Sequence, residues 1–214
     1  MDWHAWHENY DRPDSTYPRR LETVQARLRE ELDRMPPGPV RIVSLCGGQG
    51  RDVIGALAGH PRAADARVRL VELDARNVRD AREAARAAGL EHFEAIAGDA
   101  ADTTHYAGAV PADIVLVCGL FGNISDADIE RTVDHCTELV REGGAVIWTR
   151  HREDPDNFPL ICGWFEDRGF TRQWVSAPEA VYGVGVHRST TAPRPLTPGV
   201  RLFTFVGYDV MRAN

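Results

Sequence analysis

Lysine is absent from this sequence, and all 25 basic residues are arginine. We interpret this bias as a property of the coding sequence and not as a functional signal. Acidic residues number 32, so the formal net charge is -7 at pH 7. A protein that binds DNA or RNA usually presents a basic surface, which this composition does not favour. We therefore expect no nucleic acid as substrate or partner.

Cysteines and long apolar runs are also scarce. The four cysteines, Cys46, Cys118, Cys136 and Cys162, form no CxxC pair, and no histidine lies at zinc-finger spacing from them. This pattern predicts free thiols and no metal site. No apolar run reaches the ~20 residues that a membrane span needs, and the first residues lack the basic and apolar regions of a secretory signal. We expect a cytoplasmic protein with no membrane partner.

Hydrophobic patterns divide the chain into three parts of one predicted domain, 1–214. Residues 1–38 hold an aromatic segment and a helix, residues 39–150 alternate strands with helices, and residues 151–214 end in strands without helices between them. The predicted strands cover 40–45, 67–73, 93–97, 113–117, 145–149, 170–176, 181–188 and 200–210. We predict an α/β fold: a doubly wound sheet of the seven-stranded type, mostly parallel with an antiparallel C-terminal edge, plus an N-terminal helical lid.

A glycine-rich loop follows the first predicted strand and reads Cys46-Gly47-Gly48-Gln49-Gly50. Glycines let the backbone approach a ligand closely, and the helix N-terminus that comes next favours an anionic group. A tight turn without a ligand explains such a loop equally well. The loop is therefore only a candidate binding site until other residues support it.

Two acidic residues at the ends of the next two strands give that support. Glu72 lies 22 residues after Gly50, close to the ~20 expected for an acid that binds ribose hydroxyls. Asp99, in Gly98-Asp99-Ala100, follows the third strand and could accept a hydrogen bond from an adenine amino group. Each acid alone could be a solvated charge or a turn residue. Together, at one edge of a parallel sheet, they predict a nucleoside site.

These residues resemble the motifs of class I (Rossmann-like) S-adenosylmethionine-dependent methyltransferases. The run 40–50 resembles motif I, Glu72 the acid of the next motif, Gly98-Asp99-Ala100 the adenine motif, and 139–144 the turn before strand five. The resemblance spans roughly residues 40–150 and implies S-adenosylmethionine as cofactor, with S-adenosylhomocysteine as product. The implied cofactor-binding residues are Cys46, Gly47, Gly48, Gly50, Glu72, Leu73, Asp99, Ala100 and Cys118.

The loop departs from the family pattern at two positions. Ser44 stands where motif I usually has an acid, and Cys46 where it has its first glycine. Backbone carbonyls near Cys46 and Cys118 are therefore candidates for the contact to the methionine amine. The competing cofactor is a nicotinamide dinucleotide, which Val53 and Asp52 disfavour, because a pyrophosphate needs a small residue and no carboxylate at the helix start.

The turn after the fourth strand, residues 118–125, borders the acceptor in this family. It lacks the Asn/Asp-Pro-Pro-aromatic sequence of enzymes that methylate base amines, a second argument against nucleic acid. Phe121 and Asn123 are candidate substrate contacts there, with core packing and turn chemistry as their alternatives. After the fifth strand, His151 is the candidate catalytic base and Arg150 a candidate contact for an acidic substrate. A surface histidine beside two arginines is the alternative.

The N-terminus concentrates aromatic and imidazole groups within ten residues. Trp6 and Tyr10 are candidate substrate contacts if this segment folds over the pocket as a lid, and a frayed tail is the alternative.

The leading hypothesis is methyl transfer to oxygen, nitrogen or carbon of a small-molecule acceptor, with specialised metabolism as one setting. One alternative is an enzyme that uses S-adenosylmethionine without moving a methyl group, and another is a non-catalytic S-adenosylmethionine-binding protein. The oligomeric state stays open, with a homodimer as one alternative.

Overall fold

The computed structural model describes residues 2–12 and 14–207. Seven strands form its sheet: β1 Val40–Leu45, β2 Ala66–Glu72, β3 Phe93–Ala97, β4 Ala112–Val117, β5 Val140–His151, β6 Phe170–Val175 and β7 Tyr182–Ser189. Six α-helices accompany them: α1 Trp3–Trp6, α2 Tyr17–Arg34, α3 Arg51–Leu57, α4 Ala75–Ala87, α5 Asp126–Leu139 and α6 Phe158–Asp167. A 3-10 helix, His7–Asp11, continues directly from α1.

The strands lie in the order β3-β2-β1-β4-β5-β7-β6. Neighbours from β3 to β5 pair in parallel, whereas β7 pairs antiparallel with both β5 and β6. The predicted doubly wound sheet with an antiparallel C-terminal edge is confirmed. Strand order reverses between β1 and β4, and this is the point at which open α/β sheets bind ligands beyond the carboxyl ends of their strands.

The sheet is buried on both faces, as its parallel strands require. Along β1, Val43 and Leu45 belong to the core cluster under α5 and α6, while Ile42 belongs to the cluster under α2, α3 and α4. Side chains alternate between the two faces of a strand, so each strand contributes to both clusters. This two-sided packing holds the strand ends, and therefore the loops that follow them, in one place.

Local sequence explains where several helices begin. The Ser125 side chain accepts a hydrogen bond from the Asp128 N–H (3.2 Å) at the start of α5, and the Asp74 carboxylate accepts from the Arg76 N–H (2.9 Å) at the start of α4. Both are N-caps of the preferred residue types. Gly50 takes the left-handed conformation (φ 70°) immediately before α3, so the loop can turn from strand to helix there.

Two predicted strands differ in the structure. The fifth begins at Val140 instead of residue 145, because its pairing with β4 shifts between Ala112 and Ile114 and the extra residues are accommodated around Gly143 (φ 73°). The strand predicted over 200–210 is wrong for its described part. Residues 200–207 form only one isolated bridge, Asp102 to Arg201. Their other backbone bonds go to the turns after β3 and β4, where no strand is available to pair. Residues 208–210 lie outside the described residues.

Across residues 2–12 and 14–207, none of the helices has the length and apolar character needed to cross a membrane.

Candidate functional site

A cavity of about 510 Å³ lies at the carboxyl edge of the parallel strands, around the reversal point between β1 and β4. Residues at or just after the ends of β1 to β5 form its floor and sides. The N-terminal segment, which we define as α1 plus the 3-10 helix (Trp3–Asp11), forms another wall together with α2. Strand ends that are distant in sequence thus meet around one cavity.

The glycine loop forms the part of the wall that follows β1. Cys46 is the one non-glycine residue with positive φ (48°) among the described residues, and Gly48 also has a left-handed backbone (φ 55°). A Cβ on Gly47 would lie 2.5 Å from Leu70 Cγ, and a Cβ on Gly48 would collide with the His7 imidazole. Glycine is therefore required at both positions, and the bare backbone faces the cavity and the N-terminal segment.

Glu72 ends β2 beside this loop and is only 8% exposed. Its Oε2 accepts a hydrogen bond from the Gly48 N–H (3.0 Å), and its Oε1 accepts from the Asp74 N–H (2.9 Å). A carboxylate has about four lone-pair sites, so each oxygen retains capacity for a further donor. A fixed, buried carboxylate with spare acceptor capacity fits the paired hydroxyls of a ribose.

Leu73, Asp99 and Ala100 continue the wall towards β3. Leu73 is 72% exposed, and with Ala100 it gives a small apolar surface suited to a flat base. Asp99 is already engaged, because its Oδ1 accepts from the Ala101 N–H (3.0 Å) and its Oδ2 pairs with Arg201 (3.0 Å). An adenine amino group would have to share Asp99 with these partners. The residues present therefore fit a nucleoside cofactor at Glu72, Leu73 and Ala100.

The opposite side of the cavity, beyond the ends of β4 and β5, contains His151, Arg150 and Asn123. The His151 ring lies against Gly122, where a Cβ would be 3.1 Å from its Cδ2. The Arg150 Nη1 donates to the Phe121 carbonyl (2.7 Å), and the Asn123 side-chain amide donates to the Gly119 carbonyl (2.7 Å). These bonds hold the turn after β4 against the end of β5.

Two predicted site residues do not line the cavity. Phe121 is fully buried in the core, with its ring centroid 5.9 Å from that of Trp148, so its ring offers no surface to a substrate. A Cβ on Gly50 would meet Ile54 and Leu70, so this glycine faces the interior of the fold. The other predicted positions all line the cavity: His151, Cys46, Gly47, Gly48, Glu72, Leu73, Asp99, Ala100, Cys118, Trp6, Tyr10, Asn123 and Arg150.

The N-terminal segment contributes Trp3, Trp6, His7 and Tyr10 to the wall. Ion pairs attach the segment and Asp2, the N-cap of α1, to the helices around the site, with distances of 2.7 Å for Asp2–Arg76, 2.8 Å for His4–Asp80 and 2.9 Å for Asp11–Arg51. The Trp3 ring also meets the edge of Phe205, with centroids 5.2 Å apart. The segment therefore closes part of the cavity with aromatic rings.

Sequence reasoning missed Arg20, Tyr17 and Tyr182, which all line the cavity. The Arg20 guanidinium donates to the Tyr10 hydroxyl, and its central carbon lies 5.2 Å and 5.3 Å from the ring centroids of Tyr17 and Tyr182. The sequence contains one feature that could have pointed to Arg20. Arg20 lies in the first turn of α2, where the helix dipole favours an acid and disfavours a cation.

Burial sets the protonation of several groups around the cavity. It raises the pKa of the Cys46 and Cys118 thiols, so both stay protonated at neutral pH and neither is poised as a nucleophile. It lowers the pKa of His7, which is therefore neutral. In the neutral ring, Nδ1 donates to the Trp3 carbonyl (2.7 Å), which leaves Nε2 as an acceptor towards the glycine loop.

Comparison with known proteins indicates a protein family for this chain. Residues 18–165 match a family model described as "Putative methyltransferase". No protein with a curated function matches the sequence.

Solved structures with a similar fold include an O-methyltransferase family protein from Burkholderia thailandensis (17% identity, TM-score 0.61, 78% of this chain and 57% of that one). They also include magnesium protoporphyrin IX methyltransferase from Synechocystis with bound SAM (13% identity, TM-score 0.63, 86% and 89%). A third is an rRNA methylase from Streptococcus thermophilus (14% identity, TM-score 0.57, 77% and 95%). The chain spans little more than half of the Burkholderia protein. At such identities the likeness establishes the shared fold and leaves the acceptor open.

Proposed function

Since the chain belongs to the methyltransferase family whose model it matches, and S-adenosylmethionine is its cofactor, we propose that it methylates a small-molecule acceptor bound inside the cavity. The acceptor atom is an oxygen, nitrogen or carbon. The acceptor lies beyond the ends of β4 and β5, while the nucleoside of the cofactor lies at the ends of β2 and β3.

The partial covering of the cavity by the N-terminal segment carries this proposal. Trp3, Trp6 and Tyr10 stand over the carboxyl edge of the sheet, where a polymer substrate would need an open groove. A net charge of -7 also works against a long polyanion at this edge. A space of about 510 Å³ bounded by aromatic rings suits a compact, partly apolar molecule.

On the cofactor side, we assign Glu72 to the ribose hydroxyls and Leu73 with Ala100 to the faces of the adenine. When bound, S-adenosylmethionine supplies a methyl group on a positively charged sulfur. The protein contributes mainly by positioning the reactants, because the residues that line the cavity align the acceptor atom and exclude water. The glycine loop lets the backbone lie close enough for this alignment.

On the acceptor side, we assign His151 as the group that receives a proton from a hydroxyl or amine acceptor. It ends β5 and lines the cavity, and its ring is supported by Gly122. An imidazole is suited to proton transfer near neutral pH. Arg150 and Asn123, on the same wall, are assigned to orient the acceptor.

The test combines binding with product analysis. We expect saturable binding of S-adenosylhomocysteine by titration calorimetry, and a product one methyl group heavier when S-adenosylmethionine is supplied with a panel of phenols, carboxylates and amines. Consumption of S-adenosylmethionine without a methylated product would favour an enzyme that does not transfer methyl. Binding without any turnover would favour a non-catalytic binder, and methylation of RNA alone would contradict the small-molecule proposal.

A further inference from the structure

Arg20 is a cation held in an aromatic setting at the edge of the cavity. Its guanidinium is surrounded by Tyr10, Tyr17 and Tyr182, with centroid distances of 5.7 Å, 5.2 Å and 5.3 Å. Among the described residues, no carboxylate oxygen lies within 4.0 Å of it. Arg20 is part-buried, and a charge that is partly withdrawn from water without a paired opposite charge is costly unless a ligand supplies that charge. The surroundings of Arg20 are therefore those of an anion-binding group.

Asp52 is a carboxylate in the first turn of α3, directly after the glycine loop, and it also lines the cavity. Its Oδ1 accepts from the Val53 N–H (2.7 Å). Burial raises the pKa of Asp52, and the charge of Arg20 lowers it, so the two groups are close enough to interact. They nevertheless form no ion pair within 4.0 Å in the described part of the chain. A positive and a negative side chain thus line the same cavity without forming an ion pair with each other.

The position of Arg20 and Asp52 along the sheet edge indicates which part of a ligand would bind between them. Both charges act on the pKa of Cys118 at the end of β4, whereas Glu72 lies at the end of β2. Because β1 lies between β2 and β4, the glycine loop after β1 separates the two places. A ligand with its ribose at Glu72 that crosses this loop reaches Arg20 and Asp52 with its other end.

We propose that Arg20 and Asp52 together bind the amino-acid part of the methyl donor, Arg20 through its carboxylate and Asp52 through its ammonium group. An α-amino acid carries both charges on neighbouring atoms, so it fits a cation and an anion that lie near each other without touching. In this proposal Asp52 makes the contact to the ammonium group for which the sequence offered backbone carbonyls near Cys46 and Cys118 as candidates. This inference rests on the donor side of the proposed function.

The test compares two ligands by titration calorimetry. S-adenosylhomocysteine carries the amino-acid part, and 5′-methylthioadenosine has the same nucleoside and sulfur without it. In Arg20→Met, we expect the affinity for S-adenosylhomocysteine to fall by about tenfold or more, since hydrogen bonds to a charged group are lost. The affinity for 5′-methylthioadenosine should stay within about twofold, which also reports that the variant is folded. Asp52→Asn should show the same selective loss.

The matched control is Arg27→Met, which removes an arginine from the same helix. Arg27 pairs with Glu30 (2.6 Å) and lies over Trp174, away from the cavity. We expect it to change neither ligand's affinity. Arg20→Lys, which keeps the charge, should recover part of the loss if Arg20→Met folds poorly.

Three results would overturn the inference. The first is equal weakening of both ligands in Arg20→Met and Asp52→Asn, which indicates a structural role. The second is unchanged S-adenosylhomocysteine binding in both variants. The third is a wild-type protein that binds both ligands equally well, since the amino-acid part then contributes nothing. If the wild-type protein bound neither ligand, the donor assignment itself would fail, and that outcome is distinct from these three.

Discussion

The nucleoside end of the proposed donor side and the proposed acceptor side of the cavity are built in different ways. The donor side takes its residues from short stretches directly after β1, β2 and β3, and Glu72 is held there by the backbone N–H groups of Gly48 and Asp74. The acceptor side brings together Trp6 and His151, which lie far apart in the sequence. Backbone contacts thus define the nucleoside end of the donor side, whereas side chains that meet only in the folded chain define the acceptor side. Substitutions should therefore separate binding of the donor from processing of the acceptor.

The largest difference between the effect on turnover and the effect on donor binding is expected at His151. His151→Ala should reduce turnover of an oxygen or nitrogen acceptor by about a hundredfold or more, because general bases contribute ~10²–10⁴ to rate. S-adenosylhomocysteine affinity should stay unchanged, since His151 lies on the acceptor side. Steady-state kinetics and calorimetry measure the two effects, with the exposed His92→Ala as control. Full turnover in His151→Ala would exclude this histidine as the base.

Acid should destabilise the fold through His187, which is fully buried in the core beside Trp148 and Phe165. Burial lowers the pKa of His187 from 6.5 to about 4. The unfolded chain therefore takes up this proton first as pH falls. The contribution of His187 to the free energy of unfolding is fully present above pH ~6.5 and is lost as pH falls towards 4, by at most about 3.5 kcal/mol at ~1.4 kcal/mol per pKa unit.

Urea unfolding at several pH values measures this loss. In His187→Gln, whose side-chain carbonyl can still accept the Trp148 Nε1–H, the dependence between pH 6.5 and 4 should be much weaker. If the free energy of unfolding fell equally with pH in both proteins, groups other than His187 would cause the acid sensitivity.

At Glu72 we expect the reverse, with the main effect on donor binding. Glu72→Ala should weaken S-adenosylhomocysteine binding by about a hundredfold, because ligand contacts are lost and the Gly48 and Asp74 N–H groups lose their acceptor. Asp74→Ala is the matched control, since Asp74 caps α4 and pairs with Arg76 instead of lining the cavity. Equal effects of the two substitutions would refute Glu72 as the ribose acid.

The smallest effect is expected at the exposed ion pair between Asp2 and Arg76, which attaches the N-terminal segment to α4. Exposed pairs contribute little, so Arg76→Ala should raise the acceptor KM by about two- to threefold at most. Amide hydrogen exchange in residues 3–11 should become faster. Arg79→Ala, on the same helix, should change neither quantity. Unchanged exchange in Arg76→Ala would show that aromatic packing alone holds the segment.

Much of the donor side could be predicted because its information is local. Motif spacing identified Glu72, Asp99 and the glycine loop, since each follows a strand whose apolar pattern is clear in the sequence. For Phe121 the sequence left a substrate contact and core packing as alternatives, because an aromatic residue in a turn reads the same in either place, and its side chain is buried in the core. The strand predicted over 200–210 failed because an apolar pattern cannot say whether a neighbouring strand is available to pair.

The sequence by itself determined the order of strands and helices, the doubly wound sheet and the nucleoside motifs, because hydrophobic periodicity and turn residues act over a few neighbours along the chain. Only the tertiary structure decided how the N-terminal segment, α2 and β7 meet over the end of β4. It placed Arg20 among three tyrosines and on the same cavity as Asp52, 32 positions further along the chain. Such contacts depend on how the helices pack on the sheet, and no local pattern encodes that packing.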